Sequence, residues 1–398
     1  MAALTGLRIL DLTQWEAGTS CTQALAWLGA DVVKIEPPES GDPGRTLTRG
    51  YWEGSEYFIN WNSNKRSVAI NLRDPKGRDL LLSMAPEFDV FIENFGPGVV
   101  EKLDIGYDVI KKIHPEVIYA QIKGFGLSGP YAKYKCFDMV AQAAAGALSI
   151  TGEPGGPPTR PGPTLGDSGS GVQMALAVTA AYAQKLRDGN GQHIEISMQE
   201  SVTYFMRTMI ALGAKGGTAV APRIGNKFDP TINLFACKPF GPNDYVYLMS
   251  VTERHWEVFC TAIGQTELSR DPRFVNLKAR QEHGDELGAI ISAWMEERTK
   301  HDAMHELCEA GIPASAVFDT VDLFSDPHLN ERGFIHRFPH DDPNVNIALL
   351  GWPARMSASH VPIKLAPDLG EHTTEVLQAE LGLSAEAIEQ LIAEGVVE

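Results

Sequence analysis

A lone aspartate, Asp167, is surrounded by small residues and stands at the start of a stretch with a helical pattern. Residues 165–171 read LGDSGSG, and the apolar helical pattern extends to residue 186. A carboxylate at a helix start is stabilised by about 0.3–1 kcal/mol, and glycines leave room for a bulky ligand. The pattern therefore suits a carboxylate nucleophile. Asp167 or Ser168 is also of the type that simply caps a helix, and these residues taken alone favour capping.

Two other patterns fit known chemistry less well. The run GDSG at 166–169 is similar to the sequence around the serine-protease nucleophile, but that fold is all-β. Position 170 is serine rather than the glycine that a nucleophile elbow needs. His301 and His305 are spaced like metal ligands on a predicted helix, yet no carboxylate cluster or His-Glu-x-x-His pattern accompanies them. We therefore predict a solvated helix face there and no metal site.

Composition and charge exclude several classes of protein. The 398 residues include 34 Lys and Arg against 51 Asp and Glu, a net charge of −17, which argues against nucleic-acid or anionic-membrane partners. The five cysteines form no C-x-x-C pair, so neither a zinc site nor a disulfide framework is indicated. There is no signal-peptide pattern and no run of 18 apolar residues, and we expect a cytoplasmic protein.

Strand and helix patterns alternate through the first 200 residues. Strands are predicted at 7–12, 31–36, 67–72, 89–93, 117–122 and 193–198, and helices at 19–28, 77–84, 107–113 and 168–186. The alternation predicts an α/β fold with a mostly parallel, Rossmann-like sheet and helices on both faces. Ligands of such sheets lie outside the carboxyl ends of the strands. No G-x-G-x-x-G fingerprint is present at the strand ends, so a nicotinamide or flavin cofactor is not indicated.

Two loops that follow predicted strands are rich in glycine and proline. They are residues 94–98 (NFGPG) and 124–130 (GFGLSGP). A tight turn explains either loop by itself. Several such loops at corresponding strand ends favour a ligand-binding face.

A composition shift near Gly213 predicts a second domain. Beyond it we predict a hairpin at 231–249, helices at 254–263, 284–298 and 301–310, a strand at 314–318, and terminal helices at 373–381 and 385–394. We predict a large domain over 1–212 and 334–398, linkers at 213–224 and 326–333, and an inserted smaller α+β domain over 225–325.

Seven motifs, taken in order, resemble one known family. They are LTGLRILDL at 4–12, LGADVVKIEPP at 28–38, NKRS at 64–67, ENFGPG at 93–98, GFGLSGP at 124–130, LGD at 165–167 and LGEHT at 369–373. The chain is identified as a member of the class III CoA-transferases, the CaiB/BaiF family. That family also contains carnitine CoA-transferases and α-methylacyl-CoA racemases. The N-terminal half is most similar to the formyl-CoA transferases.

The resemblance implies that Asp167 is a covalent nucleophile. In the family, the matching aspartate attacks an acyl-CoA thioester to give a mixed anhydride. It then carries CoA as an aspartyl thioester until an acceptor carboxylate takes it, which divides one difficult exchange into feasible covalent steps. Backbone donors at Ser168, Gly169 or Gly171 would stabilise the oxyanion.

The same resemblance implies the partners of the chain. Acyl-CoA and a small organic acid are the implied substrates, and no tightly bound cofactor is expected. The family forms a homodimer whose two chains interlock, and the long connections at 213–231 and 326–353 would suit that wrapping.

Other positions match segments that line the CoA site of the family. They are Glu16, Ala17, Ile70, Asn71, Leu72, Arg73, Asn94, Phe95, Gly96, Lys102, Lys135, Cys136, Phe137 and Asp138. Lys102 stands where the formyl-CoA transferases have arginine, which keeps a cation for phosphate but loses the bidentate fork. Glu16 stands where the formyl-CoA transferases have glutamine. This difference replaces an amide with an acid at the reacting centre, so the role of Glu16 stays open.

Three other activities stay open at this point. In an acyl-CoA hydrolase, water rather than an acceptor acid would complete the reaction. A CoA-binding protein would bind CoA without catalysing transfer. Racemisation is less favoured, because the racemases of the family use a histidine followed by an aspartate. Here Phe137 precedes Asp138, so one of two bases is missing. The donor acyl-CoA and the acceptor acid, including any use of formate or oxalate, are not determined by these residues.

Overall fold

The chain divides into two compact units. The computed structural model describes residues 1–47, 54–342 and 344–398. The first unit comprises Met1–Ser149, Arg160–Ala221 and Gly333–Glu398, and the second comprises Ile150–Thr159 and Pro222–Arg332. No sequence pattern had set residues 150–159 apart from the segments on either side of them.

A six-stranded parallel sheet forms the centre of the first unit. Its strands are β1 (Arg8–Asp11), β2 (Asp31–Glu36), β3 (Arg66–Ala69), β4 (Val90–Glu93), β5 (Ile118–Lys123) and β6 (His193–Ser197). Their spatial order is β3-β2-β1-β4-β5-β6. β1 therefore lies between β2 and β4, and the strand order reverses at that point, as in dinucleotide-binding sheets. β4 and β5 are buried along their whole length, as expected for strands covered on both faces.

The first unit also contains helices, several of which pack on this sheet. They are α1 (Ala17–Trp27), α2 (Glu56–Asn62), α3 (Pro75–Met84), α4 (Val99–Lys102), α5 (Tyr107–Ile113), α6 (Asp138–Ala144), α7 (Ala147–Ile150), α8 (Ser168–Asp188), α9 (Met198–Phe205) and α10 (Arg207–Gly213). Leu25 of α1 and Met174 and Val178 of α8 belong to one buried cluster with Ile9 and Ile92 of the sheet. The first core therefore lies between these two helices and one face of the sheet.

Gly171 determines how closely α8 approaches α1. A Cβ atom at this position would lie 1.9 Å from Ser20 Oγ, 2.6 Å from the carbonyl oxygen of Ala17 and 3.0 Å from the backbone nitrogen of Cys21. Only glycine fits, because any side chain would overlap α1. Since α8 begins directly after Asp167, this contact also positions Asp167 against α1.

We expect Gly171→Ala to lower the melting temperature by about 3–8 °C, because overpacking a core contact costs about 1–3 kcal/mol. Gly288 provides the matched control, because it also lies inside a helix and a Cβ there meets nothing within 4 Å. Gly288→Ala should leave the melting temperature unchanged or raise it slightly. Calorimetry of both variants checks this, and a Gly171→Ala protein of wild-type stability would contradict the close helix contact.

The second unit is built on a three-stranded antiparallel sheet. β7 (Ile232–Ala236) and β8 (Tyr245–Met249) form the predicted hairpin, and β9 (Ala314–Ala316) pairs with β8. Its helices are α11 (Glu253–Ala262), α12 (Leu277–Glu282), α13 (Gly284–Glu296), α14 (Lys300–Glu309), α15 (Thr320–Ser325) and α16 (Pro327–Glu331). Trp256, Phe259 and Phe274 are among the fully buried side chains of its core.

The remaining elements belong to the first unit. They are the antiparallel pair β10 (Ile335–Phe338) and β11 (Ile347–Leu350), and the helices α17 (Thr373–Leu381) and α18 (Ala385–Ala393). Val376 and Ile388 of these helices share a second buried cluster with Leu10 and Phe91 of the sheet. Successive strand residues point to opposite faces, so this cluster lies on the face opposite the first core.

The structure contains several elements that the sequence patterns did not predict, among them α2, α6, α9 and the β10–β11 pair. α2 was not predicted, because a seven-residue helix with only Phe58, Ile59 and Asn62 buried has little periodic signal. Residues 326–353, predicted as a long connection, instead contain α16 and the β10–β11 pair. Ile347 and Leu349 of that pair are buried. Within the described ranges, no helix has the length and apolar character needed to cross a membrane.

Candidate active site

The loops after β1 and β4 meet at the centre of the sheet, where the strand order reverses. In open parallel sheets a crevice forms outside the carboxyl ends of the strands at such a point. Asn94 joins the two loops. Its Oδ1 accepts a hydrogen bond from the backbone nitrogen of Gln14 at 2.9 Å, and its Nδ2 donates to the carbonyl oxygen of Gln14 at 2.8 Å. This paired contact fixes the two walls of the crevice relative to each other.

A buried ion pair holds the loop after β4. Lys123 Nζ lies 2.7 Å from Glu93 Oε1 and also donates to the carbonyl oxygen of Phe95 at 2.7 Å. Glu93 Oε2 in turn accepts a hydrogen bond from the backbone nitrogen of Phe95 at 2.7 Å. Both polar groups of the Phe95 backbone are therefore engaged, which fixes the loop at the crevice.

A second buried ion pair holds the loop after β1. Lys34 Nζ lies 2.8 Å from Asp42 Oδ2 and donates to the carbonyl oxygen of Thr13 at 2.6 Å. Asp42 Oδ1 accepts from the backbone nitrogen of Trp15 at 3.1 Å. Trp15 has a φ of 61°, which is rare for a bulky residue and costs energy. The surrounding hydrogen bonds hold Trp15 in this conformation.

A cavity of about 590 Å³ lies at the carboxyl ends of β1 to β4, and we call it the strand-end cavity. Its walls include Gln14, Ile70, Asn71, Arg73 and Phe95. The volume falls within the roughly 300–1,000 Å³ typical of sites for small molecules and cofactors. Arg73 is an exposed cation on this wall.

A second cavity of about 190 Å³ contains Asp167, and we call it the Asp167 cavity. Gln14, Phe95 and Gly96 line both cavities, so the two adjoin at these residues. The linings of the two cavities together extend from Arg73 to Asp167, and we call this combined surface the groove. An elongated ligand in this groove would place one end against the carboxylate.

Asp167 occupies the N-cap position of α8, but its side chain makes no capping hydrogen bond. Its backbone has φ −85° and ψ −79°, whereas capping residues are typically extended. Ser168 Oγ donates to the carbonyl oxygen of Thr164 at 2.9 Å and does not cap the helix either. Asp138 Oδ1 accepts from the backbone nitrogens of Gly166 at 2.8 Å and Asp167 at 3.3 Å. The capping interpretation is therefore wrong, and the Asp167 carboxylate faces the cavity.

Three acidic side chains determine the electrostatics of this cavity. Glu16 and Asp138 are only 4% and 7% exposed and lie behind the cavity wall. Burial, together with the charges of Glu16 and Asp138, raises the pKa of Asp167 to about 7. Burial also raises the pKa of Glu16, against the effect of a hydrogen bond from Thr164 Oγ1. A carboxylate with a raised pKa is more basic than an ordinary aspartate, which suits a nucleophile that works at neutral pH.

Two of the three backbone donors predicted for an oxyanion are already engaged. The nitrogen of Ser168 donates to the carbonyl oxygen of Thr164, and the nitrogen of Gly171 donates to that of Asp167, each at 2.9 Å. The predictions for those two donors are therefore wrong. The backbone nitrogen of Gly169 donates to no acceptor within the described part of the chain, which leaves Gly169 as the candidate.

The structure brings most of the sequence-predicted site residues to the two cavities. The strand-end cavity is lined by Ile70, Asn71, Leu72, Arg73, Phe95 and Gly96. The Asp167 cavity is lined by Ala17, Asn94, Phe95, Gly96, Lys135, Cys136, Phe137 and Asp167. Three predicted residues line neither cavity. Glu16 and Asp138 lie behind the Asp167 cavity, and Lys102 is exposed at the end of α4.

Sequence reasoning missed several residues of the Asp167 cavity, including Trp15, Lys123, Tyr134 and Met198. The rings of Trp15 and Phe137 meet edge to face, with 6.3 Å between their centroids. Trp15 and Met198 follow β1 and β6 closely, so the strand-end rule could have found them. Tyr134 carries no comparable signal, because its position depends on how the loop before α6 folds.

Known proteins resemble this chain both in sequence and in fold. A sequence profile described as CoA-transferase family III matches residues 4–373. The chain belongs to this family. A formyl-CoA:oxalate CoA-transferase of Streptomyces coelicolor is 36% identical over 414 residues, covering 99% of each chain. A protein of the same name from Rhodopseudomonas palustris is 35% identical, covering 98% of this chain and 96% of its own.

Solved structures give the same fold for this CoA-transferase. A CaiB/BaiF family protein from Brucella suis superposes with a TM-score of 0.84 at 30% identity, covering 96% of this chain and 99% of its own. A hypothetical protein from Mycobacterium tuberculosis gives 0.80 at 26% identity, covering 94% and 99%. The family that the seven motifs resemble is thereby confirmed. The protein is an enzyme of the CoA-transferase class, and CoA or acyl-CoA is its substrate.

Proposed function

We propose that this enzyme moves CoA from an acyl-CoA donor to a free carboxylic acid through an aspartyl-CoA thioester on Asp167. The Asp167 cavity carries this proposal. There a carboxylate that makes no capping hydrogen bond, with a pKa raised to about 7, lies at the end of a groove. Formyl-CoA and oxalate appear in the names of two relatives, which supports a small organic acid as acceptor.

The chemistry proceeds in two balanced halves. The Asp167 carboxylate attacks the thioester carbonyl and expels CoA thiolate, which leaves a mixed anhydride. The thiolate attacks the aspartyl carbonyl, which releases the donor acid and forms the aspartyl-CoA thioester. The acceptor carboxylate then attacks this thioester and again expels the thiolate. Attack of the thiolate on the acceptor carbonyl releases the new acyl-CoA and restores the Asp167 carboxylate.

The groove gives CoA an orientation. We place its nucleotide in the strand-end cavity, its pantetheine arm past Gln14, Phe95 and Gly96, and its thioester beside Asp167. The shared lining of the two cavities supports this path. Gly169, whose backbone nitrogen is not engaged by the described residues, would donate to the developing oxyanion. Lys102, at the end of α4, stays a proposed contact for phosphate.

Arg73→Ala is expected to raise the dissociation constant for CoA about 3- to 10-fold, because the variant loses a cation on the wall of the strand-end cavity. The wild-type affinity should also fall more steeply with salt than that of the variant. Isothermal titration with CoA at two salt concentrations measures both effects.

Arg78 provides the control for this substitution. It also carries a positive charge, lies on α3 and forms an ion pair with Asp79 at 2.9 Å. It does not line either cavity. Arg78→Ala should therefore keep the wild-type affinity for CoA. Equal losses in the two variants would contradict the proposed placement of the nucleotide.

A turnover assay separates the transferase from a hydrolase or a CoA-binding protein. The purified protein is incubated with acetyl-CoA and propionate, then with other donor and acceptor pairs, and the thioesters are separated chromatographically. A transferase forms the acceptor thioester and little free CoA. Free CoA without a new thioester, at a rate independent of the acid, would identify a hydrolase instead.

We further propose the predicted organisation for the whole chain. A large CoA-binding domain over 1–212 and 334–398 would contain an inserted domain over 225–325, and two such chains would form an interlocked homodimer. The division of the described residues into two compact units supports the first part. Sedimentation analysis of the full chain tests the second, and a monomer at micromolar concentration would overturn it.

A further inference from the structure

The Asp167 cavity contains more negative charge than a single nucleophile requires. Glu16 and Asp138 are buried behind it and act electrostatically on Asp167. Glu16 accepts a hydrogen bond from Thr164 Oγ1, and Asp138 accepts one from Gln142 Nε2 at 2.8 Å. Both partners are neutral side chains. Neither acid therefore has a cationic side chain as a hydrogen-bond partner among the described residues.

The cations on the cavity wall do little to balance these acids. Lys123 Nζ is bound to Glu93 and to the carbonyl oxygen of Phe95, so its charge is already compensated. Lys135 is exposed, and an ion pair formed by an exposed lysine contributes only about 0–1 kcal/mol. A second anionic group in the cavity would therefore be repelled by the buried acids, and the described part of the cavity wall provides no buried, uncompensated cation to offset this repulsion.

The rest of the cavity wall suits an uncharged group. Trp15 and Phe137 meet edge to face, and Phe137 is 64% exposed. Ile122 and Met198 add apolar surface to the same wall. Aromatic and aliphatic surface binds alkyl or aryl groups through burial of apolar area, and it offers no compensation to a carboxylate.

We propose that the acid exchanged by this enzyme is a monocarboxylate with an uncharged remainder, and that Glu16 is a main source of discrimination against dicarboxylates. This inference rests on the proposed function and names the substrate class for the same site. The one carboxylate that the acid must carry is the group that reacts with the aspartyl thioester. A second carboxylate would remain in the cavity and would be repelled by Glu16 and Asp138, which are buried behind the cavity wall.

Isotope exchange of each acid with its own CoA thioester tests this inference. The pairs are formate with oxalate, propionate with malonate, and butyrate with succinate. Within each pair, a second carboxylate replaces a hydrogen or a methyl group. The equilibrium constant of each exchange is one, so any difference in rate is kinetic. We expect kcat/KM for the monocarboxylate to exceed that of its partner by about 10- to 100-fold.

Glu16→Gln tests the source of the discrimination, with Glu101→Gln as a control of equal charge change on the exposed α4. The first variant should reduce the preference for monocarboxylates at least about threefold, and the control should leave it unchanged. Dicarboxylates that exchange as fast as their partners in the wild type would overturn the inference while leaving the proposed function intact. A preference that Glu16→Gln does not alter would overturn the role of Glu16. No exchange in any pair, together with no adduct on Asp167, would overturn the proposed function itself.

Discussion

Asp167→Asn is expected to lower kcat/KM for CoA transfer by at least about 10³-fold, because the amide cannot attack a thioester as a carboxylate does. The variant should still bind CoA within about threefold of the wild type, since the strand-end cavity, where we place the nucleotide, is built from other residues. Steady-state transfer assays and calorimetric titration with CoA measure the two quantities separately. A loss of activity with retained binding assigns Asp167 to the chemical step.

Asp188, at the other end of α8, provides the matched control. Asp188→Asn removes the same charge from the same helix, far along the chain from the cavity, and should keep wild-type transfer. Transfer by Asp167→Asn within about tenfold of the wild type would contradict the mechanism.

Asp167→Asn should also be more stable than the wild type at alkaline pH. Folding raises the pKa of Asp167 from 3.8 to about 7, so the folded protein binds this proton more tightly than the unfolded chain. Stability from this group is therefore lost as pH rises from about 4 to 7. The variant should gain more in melting temperature at pH 8.5 than at pH 5. A gain of equal size at both pH values would contradict the raised pKa.

The pH dependence of transfer is expected to follow ionisation of Asp167. Only the ionised carboxylate attacks, so kcat/KM should rise about tenfold per pH unit below about 7 and level off above about 8. Burial raises the pKa of Asp167 most, and the charge of Glu16 has the next largest effect. Glu16→Gln should therefore move the midpoint to lower pH, by about one unit. Profiles of kcat/KM between pH 5 and 9 measure the midpoint.

The groups around Asp167 define the controls for this profile. Asp138 is the other acid acting on Asp167, and Asp138→Asn should move the midpoint in the same direction as Glu16→Gln. Glu101→Gln, on the exposed surface of α4, should leave it unchanged. A midpoint that stays near the wild-type value in Glu16→Gln and Asp138→Asn would show that these charges do not set the pKa of the nucleophile.

Local sequence signals predicted the parallel sheet well, because buried strands and their following helices have strong periodicity. Residues 31–36, 107–113 and 373–381 are elements with the same bounds in the structure and in the prediction. α2 was missed because tertiary contacts stabilise it. Lys65, just after this helix, donates to Asn62 Oδ1 at 2.9 Å and to Asp11 Oδ2 at 3.0 Å, which ties the helix to β1. No local pattern signals such a buried ion pair.

The sequence predicted most residues of the candidate site, but it did not predict how charges and hydrogen bonds are arranged around Asp167. Asp167 and the loop at Asn94 were found from glycines and strand ends, which are local features. Two features of the site depend on segments that are about 30 to 150 residues apart along the chain. The Asp167 side chain does not cap α8, and Glu16 and Asp138 lie behind the Asp167 cavity. The backbone nitrogens of Ser168 and Gly171 donate to backbone carbonyl oxygens, and only the structure shows these hydrogen bonds.

The covalent intermediate is the central claim, and mass spectrometry of the intact protein tests it most directly. The protein is incubated briefly with a panel of acyl-CoAs, weighed, and digested for peptide mapping, with and without hydroxylamine. We predict a CoA-sized adduct on the peptide containing Asp167, removed by hydroxylamine and discharged by an acceptor acid. Transfer activity without any adduct on that peptide, or an adduct on another residue, would contradict the account.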